Sequence, residues 1–309
     1  LARITVMGKS EVSKVYDPAV GSGSLLLKFQ KVLGPGKVTQ GYYGQEINLT
    51  TYNLARINMF LHDIPYEKFN IALGDTLLEP KHWAEEPFEA IVSNPPYSIK
   101  WDGDANPLLI NDPRFAPAGV LAPKSKADFA FTLHILSWLA VNGTAAIVEF
   151  PGVMYRGGAE QKIRKYLVDN NYVDAVIQLP PDLFFGTQIA TCILILKKSK
   201  TSNDVLFVDG SSEFVRVGNK NKLADSNLNN LLRLLEARVS RDHVAALIDN
   251  AELVERDYAL AVSTYVKAEV NQKQVDIKAL NLQIEGIVSR QSKLRQSIDA
   301  IVRSLENSK

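Results

Sequence analysis

The sequence has 309 residues, of which 46% are hydrophobic, enough for one α/β core and an appendage. Its 35 Lys and Arg nearly balance 34 Asp and Glu, whereas a domain that holds a nucleic acid duplex by its own charge is usually more basic. The single cysteine, Cys192, excludes an internal disulfide framework. The lone cysteine also fits a reducing compartment, and we therefore expect a cytoplasmic protein. No apolar run reaches the roughly 18 residues of a membrane span.

The amino terminus shows no cleavable signal pattern. Leu1 is an unusual first residue, and residues 1–7 have the pattern of a helix already under way. We therefore expect further residues before Leu1 in the natural protein.

Short β-branched runs alternate with segments of helical period through the first 200 residues. This alternation predicts a doubly wound α/β fold, with a parallel sheet covered on both faces. Strands are predicted near residues 14–16, 41–44, 70–73, 90–93, 145–150, 173–178 and 191–197. Helices are predicted over 24–33, 50–62, 127–139 and 159–170. Residues 100–126 are rich in Pro, Gly, Asn and Asp, and a loop of this length is usually functional or disordered.

We predict a catalytic domain over 1–222, a helical region over 223–265 and a long helix over 266–309. Apolar residues of that helix recur at alternating steps of three and four, with Lys273 and Gln291 in the gaps, as in a heptad seam. At roughly 1.5 Å per residue the helix would reach about 60 Å, so we expect it to meet another subunit. A terminal helix packed on its own domain is the alternative. The seam consists of Val270, Ile277, Leu280, Ile284, Ile287, Leu294, Ile298, Ile301 and Leu305.

A glycine-bearing turn, Asp17-Pro18-Ala19-Val20-Gly21-Ser22-Gly23-Ser24, follows the first predicted strand. Its glycines permit a sharp turn and close approach of backbone to a ligand at the carboxyl end of the strand. An ordinary tight βα turn would show the same pattern.

Acidic residues follow the next two strands. Glu46 is suited to accept hydrogen bonds from both hydroxyls of a ribose, a geometry that serves NAD equally well. A solvated surface glutamate is the alternative. Asp75, in Gly74-Asp75-Thr76-Leu77, could accept the amino group of a bound adenine nucleoside, although Gly-Asp is also a common turn.

Ser93-Asn94-Pro95-Pro96-Tyr97 directly follows the fourth apolar strand. Adenine N6 is a poor nucleophile because its lone pair is delocalised into the ring. If the Asn94 side-chain oxygen and the Pro95 carbonyl accept hydrogen bonds from it, the lone pair localises and points at a methyl sulfonium. The prolines hold these acceptors ready, and Tyr97 can stack on a flipped base.

Such direct attack requires no catalytic cysteine, and Cys192 is interpreted as a small buried hydrophobe. No metal site is predicted, because the histidines show no ligand spacing among themselves or with Cys192. The histidines are His62, His82, His134 and His243.

This ordered series of motifs resembles the amino-methyltransferases that use S-adenosylmethionine. More narrowly, longer blocks resemble the modification subunit of Type I restriction-modification systems, a family of N6-adenine DNA methyltransferases. The blocks are YGQEINLTTYNLARINMFLHDI, SNPPYSIKWDGD, KADFAFTLHIL, residues 150–200 and DYALAVSTYV. Together they cover most of the chain to about Val266.

The resemblance implies a Rossmann-like methyltransferase fold with a C-terminal helical extension that ends in a coiled-coil-like helix. It implies methyl transfer from S-adenosylmethionine to adenine N6 in DNA. The implied partners are DNA, a specificity subunit that meets the C-terminal helix, a second modification subunit and a motor-nuclease subunit.

The resemblance also implies roles for individual residues. Catalytic roles fall to Asn94, Pro95, Pro96 and Tyr97. Phe184 or Phe185 would pack on the flipped adenine opposite Tyr97, with core packing as the alternative. Cofactor contacts are implied at Asp17, Ala19, Gly21, Ser22, Gly23, Glu46, Ile47, Asp75 and Thr76.

Family members also carry an amino-terminal helical domain and a Phe/Tyr-Thr-Pro segment over the methionine end of the cofactor, and neither is in this sequence. We therefore expect these 309 residues alone to bind S-adenosylmethionine weakly or not at all.

Three other functions share part of the pattern. Protein-glutamine N5-methyltransferases also use Asn-Pro-Pro-Tyr, but the LFFGT block and the C-terminal helix argue against them. A non-catalytic assembly subunit with a vestigial site is disfavoured by intact Gly21, Gly23, Asn94 and Tyr97. An NAD oxidoreductase would not explain Asn-Pro-Pro-Tyr.

Overall fold

A computed structural model describes residues 1–184, 188–267 and 277–306. The chain divides into two units, Leu1–Ala268 and Glu269–Lys309. The first unit contains a nine-stranded sheet with helices on both faces, and the described part of the second is one helix. The mixed α/β fold with a C-terminal helix confirms the predicted fold class.

The strands of the large sheet run along the chain as β1 (Val12–Asp17), β2 (Val38–Glu46), β3 (Phe69–Leu73), β4 (Phe88–Ser93), β5 (Leu139–Glu149), β6 (Val173–Gln178), β7 (Cys192–Lys197), β8 (Asp204–Asp209) and β11 (Ala245–Asp249). A small hairpin comprises β9 (Val215–Val217) and β10 (Lys220–Lys222). The helices are α1 (Ala2–Thr5), α2 (Ser24–Leu33), α3 (Leu49–Leu61), α4 (Asp128–Trp138), α5 (Ala159–Asp169), α6 (Asp225–Ala237), α7 (Asn250–Glu255) and α8 (Ile277–Glu306).

The strand order is β11-β8-β6-β7-β5-β4-β1-β2-β3. The prediction of a parallel sheet is wrong for two strands. Strand β7 lies antiparallel between β5 and β6, and β11 lies antiparallel beside β8. The described residues between β6 and β7 form no helix, and without a crossover helix a chain returns antiparallel.

Side chains alternate between the two faces along each strand, and helices cover both faces, so both faces of the sheet are buried. Tyr16 of β1 and Phe207 of β8 lie in a core cluster with residues of α4 and α5. Val15 of β1 packs with residues of α2 and α3, and Leu206 of β8 packs with residues of α6. Burial on both sides explains the near-continuous apolar strands in the sequence.

The Pro- and Gly-rich stretch 100–126, for which the sequence left a functional or a disordered loop open, packs against the core. Trp101, Leu109 and Phe115 are buried in the same cluster as α4. The Arg114 side chain, 1% exposed, pairs with Asp112 through Nη2 and Oδ2 at 2.7 Å. It also donates to the carbonyl oxygens of residues 76 and 77, at 2.8 and 2.7 Å, which ties the stretch to the end of β3.

A helical region was predicted over 223–265, but this region also contributes the strand β11 to the large sheet. Its apolar residues fill the first unit: Leu253, Leu260 and Val262 are buried in the core. Val266 is also buried there, so the predicted start of the long helix at Val266 is wrong. These residues pack in the core with residues of α4 and α5, so they belong to the first unit and not to the long helix.

The second unit consists of α8 in its described part, 30 residues long, or about 45 Å at 1.5 Å per residue. The described seam side chains are between 44% and 67% exposed within this structure. They are Leu280, Ile284, Ile287, Leu294, Ile298, Ile301 and Leu305. Val270 lies outside the described residues, and the Ile277 side chain is likewise not described.

Within residues 1–184, 188–267 and 277–306, no helix combines the length and apolar character required to cross a membrane.

Replacing Arg114 tests whether its buried contacts stabilise the first unit. We expect Arg114→Leu to lower the free energy of unfolding by about 3–5 kcal/mol, because Asp112 and two backbone carbonyls lose their charged partner. Urea denaturation followed by circular dichroism measures the loss. Arg233→Leu, at an exposed position on α6, is the control, and equal stability of the two variants would contradict the role given to Arg114.

Candidate active site

The four sequence motifs lie at the carboxyl ends of four neighbouring strands, in the order β4-β1-β2-β3. Asp17 at the end of β1 pairs with Gly44, and Glu46 at the end of β2 pairs with Leu73. Because β4, β1, β2 and β3 are parallel, their ends share one edge of the sheet, where open α/β sheets bind ligands. The structure therefore brings the predicted residues together.

The turn after β1 depends on three glycines. Gly21 has φ +54° and Gly23 has φ +80°, both in the left-handed region that glycine adopts without strain. A Cβ on Gly21 would meet no atom within 4 Å, so the space beside this backbone is open. Gly44 faces the turn, and a Cβ there would lie 2.8 Å from Val20 Cγ2. This role of Gly44 was not predicted from the sequence.

Glu46 joins the glycine turn to the start of α3. Its Oε2 accepts a hydrogen bond from Gly21 N at 3.0 Å, and its Oε1 accepts from Asn48 N at 2.9 Å. Each carboxylate oxygen can accept more than one hydrogen bond, so these contacts leave capacity for ligand hydroxyls. This bridging role has no signal in the sequence.

Asp17 connects β1 to the end of β4. Its Oδ1 accepts from Ala19 N at 3.0 Å and from Ser93 Oγ at 3.1 Å. Its Oδ2 is buried and has no hydrogen-bond partner among the described residues. Burial raises the pKa of this carboxyl to about 7, against the opposing effect of its two hydrogen bonds.

Three of the other predicted cofactor residues, Asp75, Thr76 and Ser22, form hydrogen bonds within the protein. Asp75 Oδ1 accepts from Leu77 N at 2.8 Å, which closes its own turn. Thr76 is buried, and its hydroxyl donates to the Pro18 carbonyl at 2.6 Å, so it stabilises the start of the glycine turn. The Ser22 carbonyl accepts from Asn58 Nδ2 at 2.8 Å, and Ile47 is 67% exposed.

The side chains of Asn94 and Tyr97, two of the predicted catalytic residues after β4, are joined by a hydrogen bond. The Tyr97 hydroxyl donates to Asn94 Oδ1 at 2.5 Å. An amide oxygen has two lone pairs, so Asn94 Oδ1 can accept a second donor. Burial, and then the negative charge of Glu149, raises the pKa of Tyr97, which keeps its hydroxyl protonated as a donor. Asn94 is exposed and Pro95 is buried.

Phe184 and Asn94 line one apolar cavity of about 630 Å³, which residues of α1, α2 and α6 also line. Phe184 is partly buried against the core cluster that includes Leu179. Phe185 lies outside the described residues. Cys192 is buried in β7, which confirms its interpretation as a small core residue, and burial raises the pKa of its thiol.

Two buried carboxyl groups, Asp128 and Glu149, lie near Tyr97 and were missed from the sequence. Glu149 Oε1 accepts from the Thr132 hydroxyl at 2.5 Å, and burial raises the pKa of Glu149 to about 8. Asp128 Oδ1 accepts from Ser98 N at 3.0 Å. The only sequence signal for Glu149 is an acid inside the apolar strand AAIVEF.

The part of the chain that the structure describes holds no group of three or more His, Cys, Asp or Glu placed to bind a metal ion. The two buried histidines have structural partners: His134 Nε2 shares a hydrogen bond with the Tyr16 hydroxyl at 3.0 Å, and His82 Nε2 with the Gly44 carbonyl at 2.9 Å.

The sheet and the motifs at its edge define a methyltransferase fold. Residues 1–274 match the family described as N-6 DNA Methylase, and this chain belongs to that family. A Type I restriction enzyme MpnII methylase subunit of Mycoplasma pneumoniae is 50% identical over 99% of this chain and 58% of its own length. The MjaVII methylase subunit of Methanocaldococcus jannaschii is 29% identical over 95% of this chain and 52% of its own.

A solved structure supports the same relationship. The type I restriction-modification system methyltransferase subunit from Streptococcus thermophilus has a TM-score of 0.82 and 42% identity, covering 86% of this chain and 57% of that one. The EcoKI M protein shares the fold, with a TM-score of 0.65 at 18% identity. This chain spans about half the length of the curated relatives it matches.

The raised pKa of Glu149 predicts a specific pH dependence of stability. The folded protein holds this proton up to about pH 8, whereas the ordinary value is 4.5. Its contribution to stability is therefore complete below about pH 4.5 and is lost as the pH rises to about 8, with a slope of up to about 1.4 kcal/mol per pH unit.

Glu149→Gln should reduce the slope of the free energy of unfolding between pH 5 and 8 by the part that Glu149 contributes, whereas the part from Asp17, whose pKa is raised to about 7, should remain below about pH 7. Urea denaturation at several pH values measures it, with Glu255→Gln at an exposed position as the control. A wild-type slope retained in Glu149→Gln would show that other groups cause the dependence.

Proposed function

We propose that this chain is the catalytic part of a Type I restriction-modification methylase subunit, which transfers methyl from S-adenosylmethionine to adenine N6 in DNA. The observation that carries the proposal is the placement of Asn94 and Pro95 at the end of β4, beside the glycine turn of β1. The family match and the names of the relatives support the same function.

The residues at this edge fit S-adenosylmethionine. Open space beside Gly21 lets a ligand approach the backbone, and the buried, unpaired Asp17 Oδ2 can accept from a ligand donor. Glu46 retains acceptor capacity for ribose hydroxyls, and Asp75 would lie near the adenine. The cofactor supplies an electrophilic methyl group on a sulfonium. The remaining proposed contacts are at Ala19, Ser22, Gly23, Ile47 and Thr76.

Asn94 and Pro95 would act on the target amine. Their oxygens accept hydrogen bonds from adenine N6, which localises the nitrogen lone pair toward the methyl group. Pro95 and Pro96 restrict the backbone so that the acceptors are in place before the base arrives. Tyr97 would stack on the base, with Phe184 or Phe185 on its other side.

The proposed partners are those that the family relationship implies, and the charge of the chain and the seam of α8 support them. With a formal net charge of +1, the chain would share its DNA contacts with other subunits. These are a specificity subunit that reads the sequence, a second modification subunit and a motor-nuclease subunit. The exposed seam of α8 is the proposed contact with the specificity subunit, and we place the assembly in the cytoplasm, with the host DNA.

Asn94→Ala should lower the rate of methyl transfer to adenine by at least about 100-fold, because an acceptor that acts in the transition state is lost. Transfer of labelled methyl groups is measured with the complete protein purified with its partners. Cofactor affinity, measured by calorimetry, should change little. Asn170→Ala, at the exposed end of α5, is the control. A near-wild-type rate in Asn94→Ala would refute the mechanism, whereas absence of transfer in the wild-type complex would indicate a vestigial site.

Deletion of residues 277–309 should leave the first unit folded, because that unit closes its own core through Val266. The shortened protein should no longer assemble with the specificity subunit, since it lacks the apolar seam of α8. Sedimentation velocity measures the complex. As a control, changing exposed Lys293 and Arg295, which lie off the seam, to Ala should leave assembly intact. Undiminished assembly of the deleted protein would assign the seam another role.

A further inference from the structure

Ser98, directly after the Asn94–Tyr97 segment, has an unusual backbone conformation. Its φ is +51°, in the left-handed region that side-chain-bearing residues rarely adopt. Such a conformation persists only where surrounding contacts hold it, and residues of this kind cluster at functional sites. The contacts of Ser98 therefore bear on how Tyr97 is placed.

The start of α4 holds this turn through two hydrogen bonds. Asp128 Oδ1 accepts from Ser98 N at 3.0 Å, and Ala127 N donates to the Ile99 carbonyl at 2.9 Å. Asp128 is 1% exposed and is the first residue of α4, where the helix dipole favours a negative charge. The acceptor end of this hydrogen bond is therefore buried at the start of a helix, whereas Ser98 itself is exposed.

Helix α4 is a firm support for this carboxylate. Ten of its eleven residues are buried, so the helix cannot shift without disturbing the core. Thr132, one turn after Asp128, donates to Glu149, whose raised pKa of about 8 leaves that neighbouring carboxyl mostly uncharged at neutral pH. The Glu149 carboxyl therefore adds little negative charge beside Asp128.

The Asn94–Tyr97 segment is thus held at both ends by buried carboxyl groups. At its start, the Ser93 hydroxyl donates to Asp17 at 3.1 Å. At its end, Ser98 N donates to Asp128. Between them, the Tyr97 hydroxyl donates to Asn94 Oδ1, so the position of Tyr97 also determines where the Asn94 oxygen points.

We propose that Asp128 is a positioning residue for methyl transfer: by holding the Ser98 amide it places Tyr97, and through the Tyr97 hydroxyl the Asn94 oxygen, for the target amine. This inference rests on the proposed function. Asp128 acts through the loop backbone, not on the base. It should therefore affect the rate of transfer rather than the binding of the cofactor.

The test compares Asp128→Ala with Asp128→Asn in the complete protein purified with its partners. Alanine removes the acceptor, and kcat should fall about 100-fold, as expected for a displacement of catalytic groups by about 1 Å. Asparagine keeps an oxygen for Ser98 N and should restore most of the rate. The KM for S-adenosylmethionine should stay near wild type in both variants.

Hydrogen exchange provides a readout that does not depend on activity. The Ser98 amide should exchange much faster in Asp128→Ala than in wild type and should remain protected in Asp128→Asn. Asp249→Ala is the matched control. Asp249 accepts a hydrogen bond from Ala251 N at the start of α7, so this substitution removes a helix-terminal contact at a different helix. That variant should keep both kcat and Ser98 protection.

Ser98→Pro addresses the same bond from the exposed side if Asp128→Ala does not fold. Proline has no N–H and cannot adopt a positive φ, so kcat should fall as in Asp128→Ala. Wild-type kcat in Asp128→Ala or in Ser98→Pro would overturn the proposal, as would equal loss in Asp128→Asn and Asp128→Ala. A wild-type complex that methylates no adenine would instead overturn the proposed function itself.

Discussion

The buried contact between Asp17 and Ser93 is the interaction on which the site depends. It joins the end of β1 to the end of β4, and the same carboxylate oxygen also holds Ala19 N in the glycine turn. The proposed cofactor loop and the proposed catalytic segment therefore share one anchor. An unpaired buried oxygen and a pKa raised to about 7 are costly for stability, and such groups are concentrated at functional sites.

Other contacts extend this anchor into a site that is arranged before any ligand binds. Glu46 joins the glycine turn to α3, Thr76 supports Pro18, and Arg114 ties the long stretch 100–126 to the end of β3. Asp128 holds the far end of the catalytic segment. Groups fixed in this way need not reorganise as charge develops in a transition state, which is how preorganised sites lower barriers.

The proposed chemistry and the proposed assembly contact lie in different units of the chain. The first unit contains every described residue of the proposed site, and the second presents the apolar seam of α8. The part matched here covers 58% and 52% of the length of two curated relatives. An exposed seam of this length is stable in water only when another apolar surface covers it.

The sequence by itself determined which motifs follow which strands, the residue types from Asn94 to Tyr97 on which the proposed chemistry rests, and the periodicity of α8, because these depend on local spacing. Tertiary structure alone decided the antiparallel β7, the strand β11, the burial of Val266 and the close packing at Gly44. It also decided the partners of Asp17 and Asp128, which lie 76 and 30 residues away along the chain. Contacts between residues so far apart depend on how strands and helices pack, and a linear pattern carries no record of that packing.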